Sequence, residues 1–101
     1  MKFALSRQAE EAFGQLWDFY FSRGGTRLAD RVLAEMRDAI DLLIEQPGRG
    51  HARPDLTPRP LLFYRVYQVY LIYDPESSPL YIARVYHTSQ DVKKRLQAER
   101  D

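Results

Sequence analysis

The sequence predicts an α+β fold in the order β-αα-βββ-α, an antiparallel sheet packed on an N-terminal helical hairpin. Three observations lead there. Two long stretches carry apolar residues at three- and four-residue steps and meet at Gly24-Gly25. A proline- and glycine-rich interruption from Gln46 to Pro60 ends that periodicity. Beyond it lie three short runs dominated by β-branched and aromatic residues, as strands favour.

Lys2-Phe3-Ala4-Leu5 alternates polar and apolar and reads as a short strand. Ser6 is placed to cap a helix from about Arg7 to about Ser22, with Glu10-Glu11 in the first turns, where carboxylates suit the positive end of the dipole. Ala9, Ala12, Phe13, Leu16, Trp17 and Tyr20 form its apolar stripe. Phe19 and Phe21 lie off that stripe and suit either partial burial against a loop or contact with a partner protein. Glycine adopts helix-stop conformations freely, so Gly24-Gly25 closes this helix. Thr26 can cap a second one, from about Arg27 to about Glu45, with Ala29, Val32, Leu33, Met36, Ile40, Leu43 and Ile44 inward. So short a link between long helices implies an antiparallel hairpin.

Residues 46–60 contain four prolines and two glycines, which exclude a helix interior or a central strand. Arg49, Arg53 and Arg59 share this loop with Asp55, which suits solvated arginines with one salt bridge, or a binding loop on a rigid scaffold. Strands follow at Leu61–Tyr67 and Val69–Tyr73, reversing near Gln68 without a recognisable turn pair. Asp74-Pro75-Glu76-Ser77-Ser78-Pro79 is a turn, and Tyr81–His87 is the last strand. Thr88 or Ser89 then caps a helix from about Asp91 to about Glu99, weakly anchored by Val92 and Leu96. That helix leaves the outer sheet face partly open for a partner.

With 101 residues the chain is one domain, residues 1–101, with one modest core. It has no cysteine, so disulfides and thiolate metal sites are excluded, and a cytoplasmic location is expected. No run suits a membrane span. The net charge of +1 is far from the basic footprint of a dedicated nucleic-acid binder, and direct DNA binding is not expected. His51 and His87 stand alone, so no metal site is expected, and no glycine loop cradles a phosphate. No cofactor is expected.

One chemistry stays open: RNA cleavage by a general acid and base with cations for the phosphate. Arg65, Arg84, Tyr86 and His87 are the candidates. Strand alternation, however, puts Arg84 and Tyr86 on one face and His87 on the other. Lysine is also absent from residues 3 to 92. An arginine inside an apolar strand needs a partner if buried, and Asp55 or Asp91 could provide one for Arg84.

The order of elements, with Gln46-Pro47-Gly48-Arg49-Gly50, Arg53-Pro54-Asp55-Leu56, Tyr70-Leu71-Ile72-Tyr73, and Ala83-Arg84-Val85-Tyr86-His87 followed by Asp91, resembles the ParE branch of the RelE/ParE toxin superfamily. Ser6-x-x-Ala9 and Ala29 fit as well, and the resemblance covers nearly the whole chain. It implies the toxin of a type II toxin–antitoxin module, held inactive by a cognate antitoxin. On the ParE side it implies inhibition of DNA gyrase; on the RelE side, cleavage of mRNA on the ribosome. An inactive antitoxin-binding domain is the third reading. For partner contact the candidates are Phe19, Phe21, Arg49, Arg53 and Arg59.

Overall fold

A computed structural model describes residues 2–98. Strand β1 spans Phe3–Leu5, helix α1 Arg7–Glu45, β2 His51–Ala52, β3 Leu62–Val66, β4 Val69–Asp74, β5 Leu80–His87 and helix α2 Val92–Ala98. The α+β class and the hairpin hold. Helix α1 is two limbs broken at Gly25, whose φ of 75° and ψ of −169° suit glycine alone. Trp17 and Asp30 lie on opposite sides of the break, yet the indole Nε1 donates to the carboxylate at 3.1 Å. The limbs therefore run back along each other.

The sheet has five strands in the order β1-β5-β4-β3-β2. Strands β3 to β5 pair antiparallel as expected, and β2 with β3 likewise, but β1 pairs parallel with β5, in the register Phe3↔Leu80 to Leu5↔Ile82. The sheet is thus mixed: the hairpin carries the chain off the sheet after β1, and β1's edge position is next to the last strand. The extra strand, β2, lies inside the predicted loop. Its two residues pair with Leu62 and Phe63 at the sheet edge, where flanking prolines and glycines are tolerated. Just before it, the Tyr73 hydroxyl donates to the Pro47 carbonyl at 2.5 Å and accepts from the Gly50 N–H at 3.0 Å. A Cβ at position 50 would meet that hydroxyl at 2.7 Å, so the close approach requires glycine.

The two helical limbs bury Ala9, Leu16, Val32, Met36 and Leu43 against Val69, Leu71, Tyr73, Ile82 and Val85. A second, smaller core occupies the other sheet face. Leu61, Phe63, Ile72 and Tyr86 are buried there under Val92 and Leu96 of α2, with Leu56 of the loop beside them. The outer face, expected to be covered only partly by α2, is also covered by the loop before β3 through Leu56. Helix α2 is described to Ala98; its expected end at Glu99 lies outside the described residues.

A bulge in β5 sets which side chains face which core. The register steps from Ile72↔Arg84 to Tyr73↔Ile82, leaving Ala83 as the extra residue. Leu80, Ile82 and Val85 can then all face the helices, while Arg84 and Tyr86 face outward. The Ala83 carbonyl accepts from the Ser6 hydroxyl and from Arg84 Nη1, both at 2.6 Å. Ser6 Oγ also accepts from the Ala9 N–H at 3.1 Å, so one buried side chain caps α1 and ties it to the bulge.

Candidate functional site

On the outer sheet face, cross-strand pairing places Arg65 opposite Tyr70 and Tyr70 opposite Tyr86. Ile72 stands between Phe63 and Arg84 in the next row. Arg65, Arg84 and Tyr86 are thus brought together on one face, with Tyr70 as a fourth member that sequence reasoning missed. Its signal was present: in a two-residue reversal, positions 65 and 70 pair and share a face.

Arg65 is exposed, and its Nε donates to the Tyr67 carbonyl at 2.8 Å. Arg84 is half-buried. The expected pairing of Arg84 with Asp55 is corrected, because Asp55 holds Arg53 instead. Arg53 Nε and Nη2 reach the two carboxylate oxygens at 3.0 and 2.9 Å. Arg53 Nη1 reaches the Tyr70 hydroxyl at 3.4 Å. Its hydrogen bond to Arg53 holds the exposed Asp55 carboxyl below the usual carboxylate range, and Arg53 in turn is raised. Asp91, the other expected partner, accepts from the Lys94 N–H at 3.1 Å at the start of α2. Arg49 is exposed and donates to Gln46 Oε1 at 2.7 Å; Arg59 is half-buried, and its backbone N–H donates to Thr57 Oγ1.

Tyr86 is 2% exposed and belongs to the second core, which removes it from contact with any substrate on this face. His87 lies across the sheet, as alternation predicts. Its ring packs on Phe19 with centroids 4.9 Å apart, and the Arg23 guanidinium lies 3.7 Å from the Phe19 centroid. The Ser89 N–H donates to His87 Nδ1 at 3.1 Å, with Ser89 Oγ at 2.8 Å. Since Nδ1 accepts, the ring proton is assigned to Nε2. That nitrogen is buried without a partner. Burial, and after it the charge of Arg23, lowers the His87 pKa. From the opposite face, His87 cannot reach a ligand held by Arg65 and Arg84.

Phe19 is half-buried, as its partial-burial reading expects. Phe21 is 45% exposed and stacks on Trp17 at 5.0 Å. Among the described residues no three His, Asp or Glu side chains gather as metal ligands, and no described helix is long and apolar enough to cross a membrane.

The family described as "ParE toxin of type II toxin-antitoxin system, parDE" matches residues 3–92. The chain belongs to the ParE toxin family. Two curated ParE relatives, each called Toxin ParE1, come from Mycobacterium tuberculosis strains CDC 1551 / Oshkosh and ATCC 25618 / H37Rv. Each is 29% identical over 103 residues, covering 94% of this chain and 97% of the relative. A solved structure described as "Chromosomal ParDE TA system from P. aeruginosa" shares the ParE fold. Its TM-score is 0.71 at 16% identity, over 86% of this chain and 95% of the other. The match to the ParE family takes in α1, all five strands and the start of α2, so both faces of the sheet lie within it.

Proposed function

We propose that this chain is a toxin that arrests growth by binding DNA gyrase rather than by catalysis, and that a cognate antitoxin neutralises it in the cytoplasm. Membership of the ParE family supports the toxin–antitoxin setting. The observation that carries the non-catalytic reading is the separation of His87 from the arginine face. Arg53, Arg65 and Arg84 can contact an anionic or polar surface, while His87 packs on Phe19 on the other side of the sheet. Exposed Phe21 and Trp17 beside it supply an aromatic anchor of the kind that dominates protein interfaces.

A ribosome-dependent ribonuclease is the second reading, favoured by the placement of Arg65, Tyr70 and Arg84 on one sheet face. Gyrase supercoiling and in vitro translation, run side by side with purified protein, separate the two. Loss of supercoiling with intact mRNA is expected. Cleavage of mRNA on ribosomes, with supercoiling untouched, overturns the gyrase reading. Expression without growth arrest overturns both and leaves an inactive antitoxin-binding domain.

A further inference from the structure

The two edges of the sheet are not alike. Strand β2, at one edge, is two residues long and lies between Pro47 and Pro54, residues that keep an edge from pairing further. Strand β1, at the other, is Phe3-Ala4-Leu5, with no proline, no charge and no bulge to guard it. A residue's N–H and C=O point to one flank of its strand, and the next residue's to the other. The Lys2 carbonyl accepts from the Leu80 N–H at 3.3 Å, and the Ser6 N–H donates to the Ile82 carbonyl at 3.0 Å, so positions 2, 4 and 6 turn to β5. Phe3 and Leu5 therefore hold two N–H and two C=O groups away from it, at a rim where no strand of the described residues pairs with them.

Beside that rim, between β1 and both limbs of α1, opens a groove of about 250 Å³. Its walls are apolar: Phe3, Leu5, Phe13, Leu33 and Ile40. Glu10 and Arg37 flank it, and both are exposed. Among the described residues the only ion pair is Arg53 with Asp55, so neither of these charges has a counterpart within the described chain.

We propose that the β1 edge and this groove join two copies of the chain about a two-fold axis through Ala4. Pairing is antiparallel: Phe3 of each copy exchanges backbone hydrogen bonds with Leu5 of the other, which takes up the outward N–H and C=O groups of both rims. The two Ala4 residues then stand opposite each other without hydrogen bonds, where strands approach to about 4.5 Å between Cα atoms and a methyl group fits. Two five-stranded sheets become one, with both helical layers on the same side. The axis sets the Leu5 end of one β1 against the Phe3 end of the other. Glu10 of each groove turns towards Arg37 of the other, and the apolar walls close on one another. A second copy is the occupant that fits, because the edge reads the same in both directions and the groove carries one charge of each sign. The outer sheet face with Arg65 and Arg84 lies clear of the contact, so the inference stands apart from the reading of what the toxin acts on.

Sedimentation of the full chain, paired with amide exchange, tests it. A dimer is expected by about 100 µM, with Phe3 and Leu5 amide protons that exchange more slowly as concentration rises. Glu10→Arg and Arg37→Glu are each expected to weaken the dimer about tenfold, and the two together to restore it to within about threefold of the native chain. A folding defect is not repaired by a second substitution, so the swap separates contact from stability. A chain still monomeric at that concentration overturns the inference and leaves the edge to another protein. So does a dimer in which Phe3 and Leu5 exchange as they do at dilution. Single variants that associate as the native chain does, or a swapped chain as weak as either of them, overturn it as well.

Discussion

Tyr67 holds a φ of 55°, in the left-handed region where side chains are disfavoured, and so turns β3 into β4 without glycine. Its hydroxyl donates to Glu35 Oε2 at 2.9 Å, which pins the reversal to the second limb of α1. Tyr67→Asn and Tyr67→Val both remove that hydroxyl, so their difference isolates the backbone. Asparagine tolerates the left-handed region and a β-branched residue does not. The asparagine variant is expected to be more stable by about 1 kcal/mol in urea unfolding; equal stabilities would mean that φ is not what limits the turn. His87 has a pH signature. Its folded pKa lies below the ordinary 6.5, so on acidification the unfolded chain takes up the proton first. The contribution is fully present above about 6.5 and is lost as pH falls towards the folded value. Melting temperature should therefore drop between about pH 7 and pH 5, and His87→Gln should flatten that drop. Asp55, held low by Arg53, acts in the more acidic range below 3.8 and leaves the window clear. Parallel slopes for the two proteins would remove His87 as the cause.

Gly25 does for the hairpin what Tyr67 does for the β3–β4 turn, in a region that only glycine enters freely. Gly25→Ala is expected to lower unfolding free energy by about 1–3 kcal/mol, read from the urea midpoint at unchanged slope. A midpoint within error of the native one would show that the limbs reach each other by another path. The hairpin was legible in the sequence because its two apolar stripes are long and the glycine pair between them has one reading. The β3 to β5 strands were legible from composition, and the opposite facing of Arg84 and His87 from strand period alone. The bulge at Ala83 was not, since an alanine among Ile82, Arg84 and Val85 carries no local mark of an inserted residue. Nor was β2: two exposed residues between a 3-10 turn and a proline-rich loop leave no period to detect. The burial of Tyr86 depends on Leu56 and Leu61 folding back from that loop, a tertiary fact with no local trace. Tyr70 escaped for the same reason, since it gains its role from a residue on another element.

Two cores of unequal size share one sheet. The larger one is clamped by both limbs of α1, whereas the smaller one depends on α2, which contributes only Val92 and Leu96 to it. Amide exchange should follow that division. Protons of β4 and the middle of β5 are expected to outlast those of α2 and β2, because the former sit centrally between paired strands. Exchange from α2 as slow as from β4 would show that the domain opens only as a whole.

The parallel pairing of β1 with β5 also sets an order in time. Ser6 meets Ala83 across 77 positions of chain, a closure that no local contact can replace. A polypeptide emerging from its N-terminus can complete the hairpin early, but the part of the hairpin's inner face that packs on Leu80, Ile82 and Val85 stays bare until β5 arrives. Strand β1 has no neighbour, Ser6 no carbonyl to hold, and β4 only one flank before that moment. A chain interrupted before Leu80 is left with a partly uncovered apolar helical surface, and whatever binds such surfaces meets it first. The toxin as a folded object begins only when its closing strand has been made.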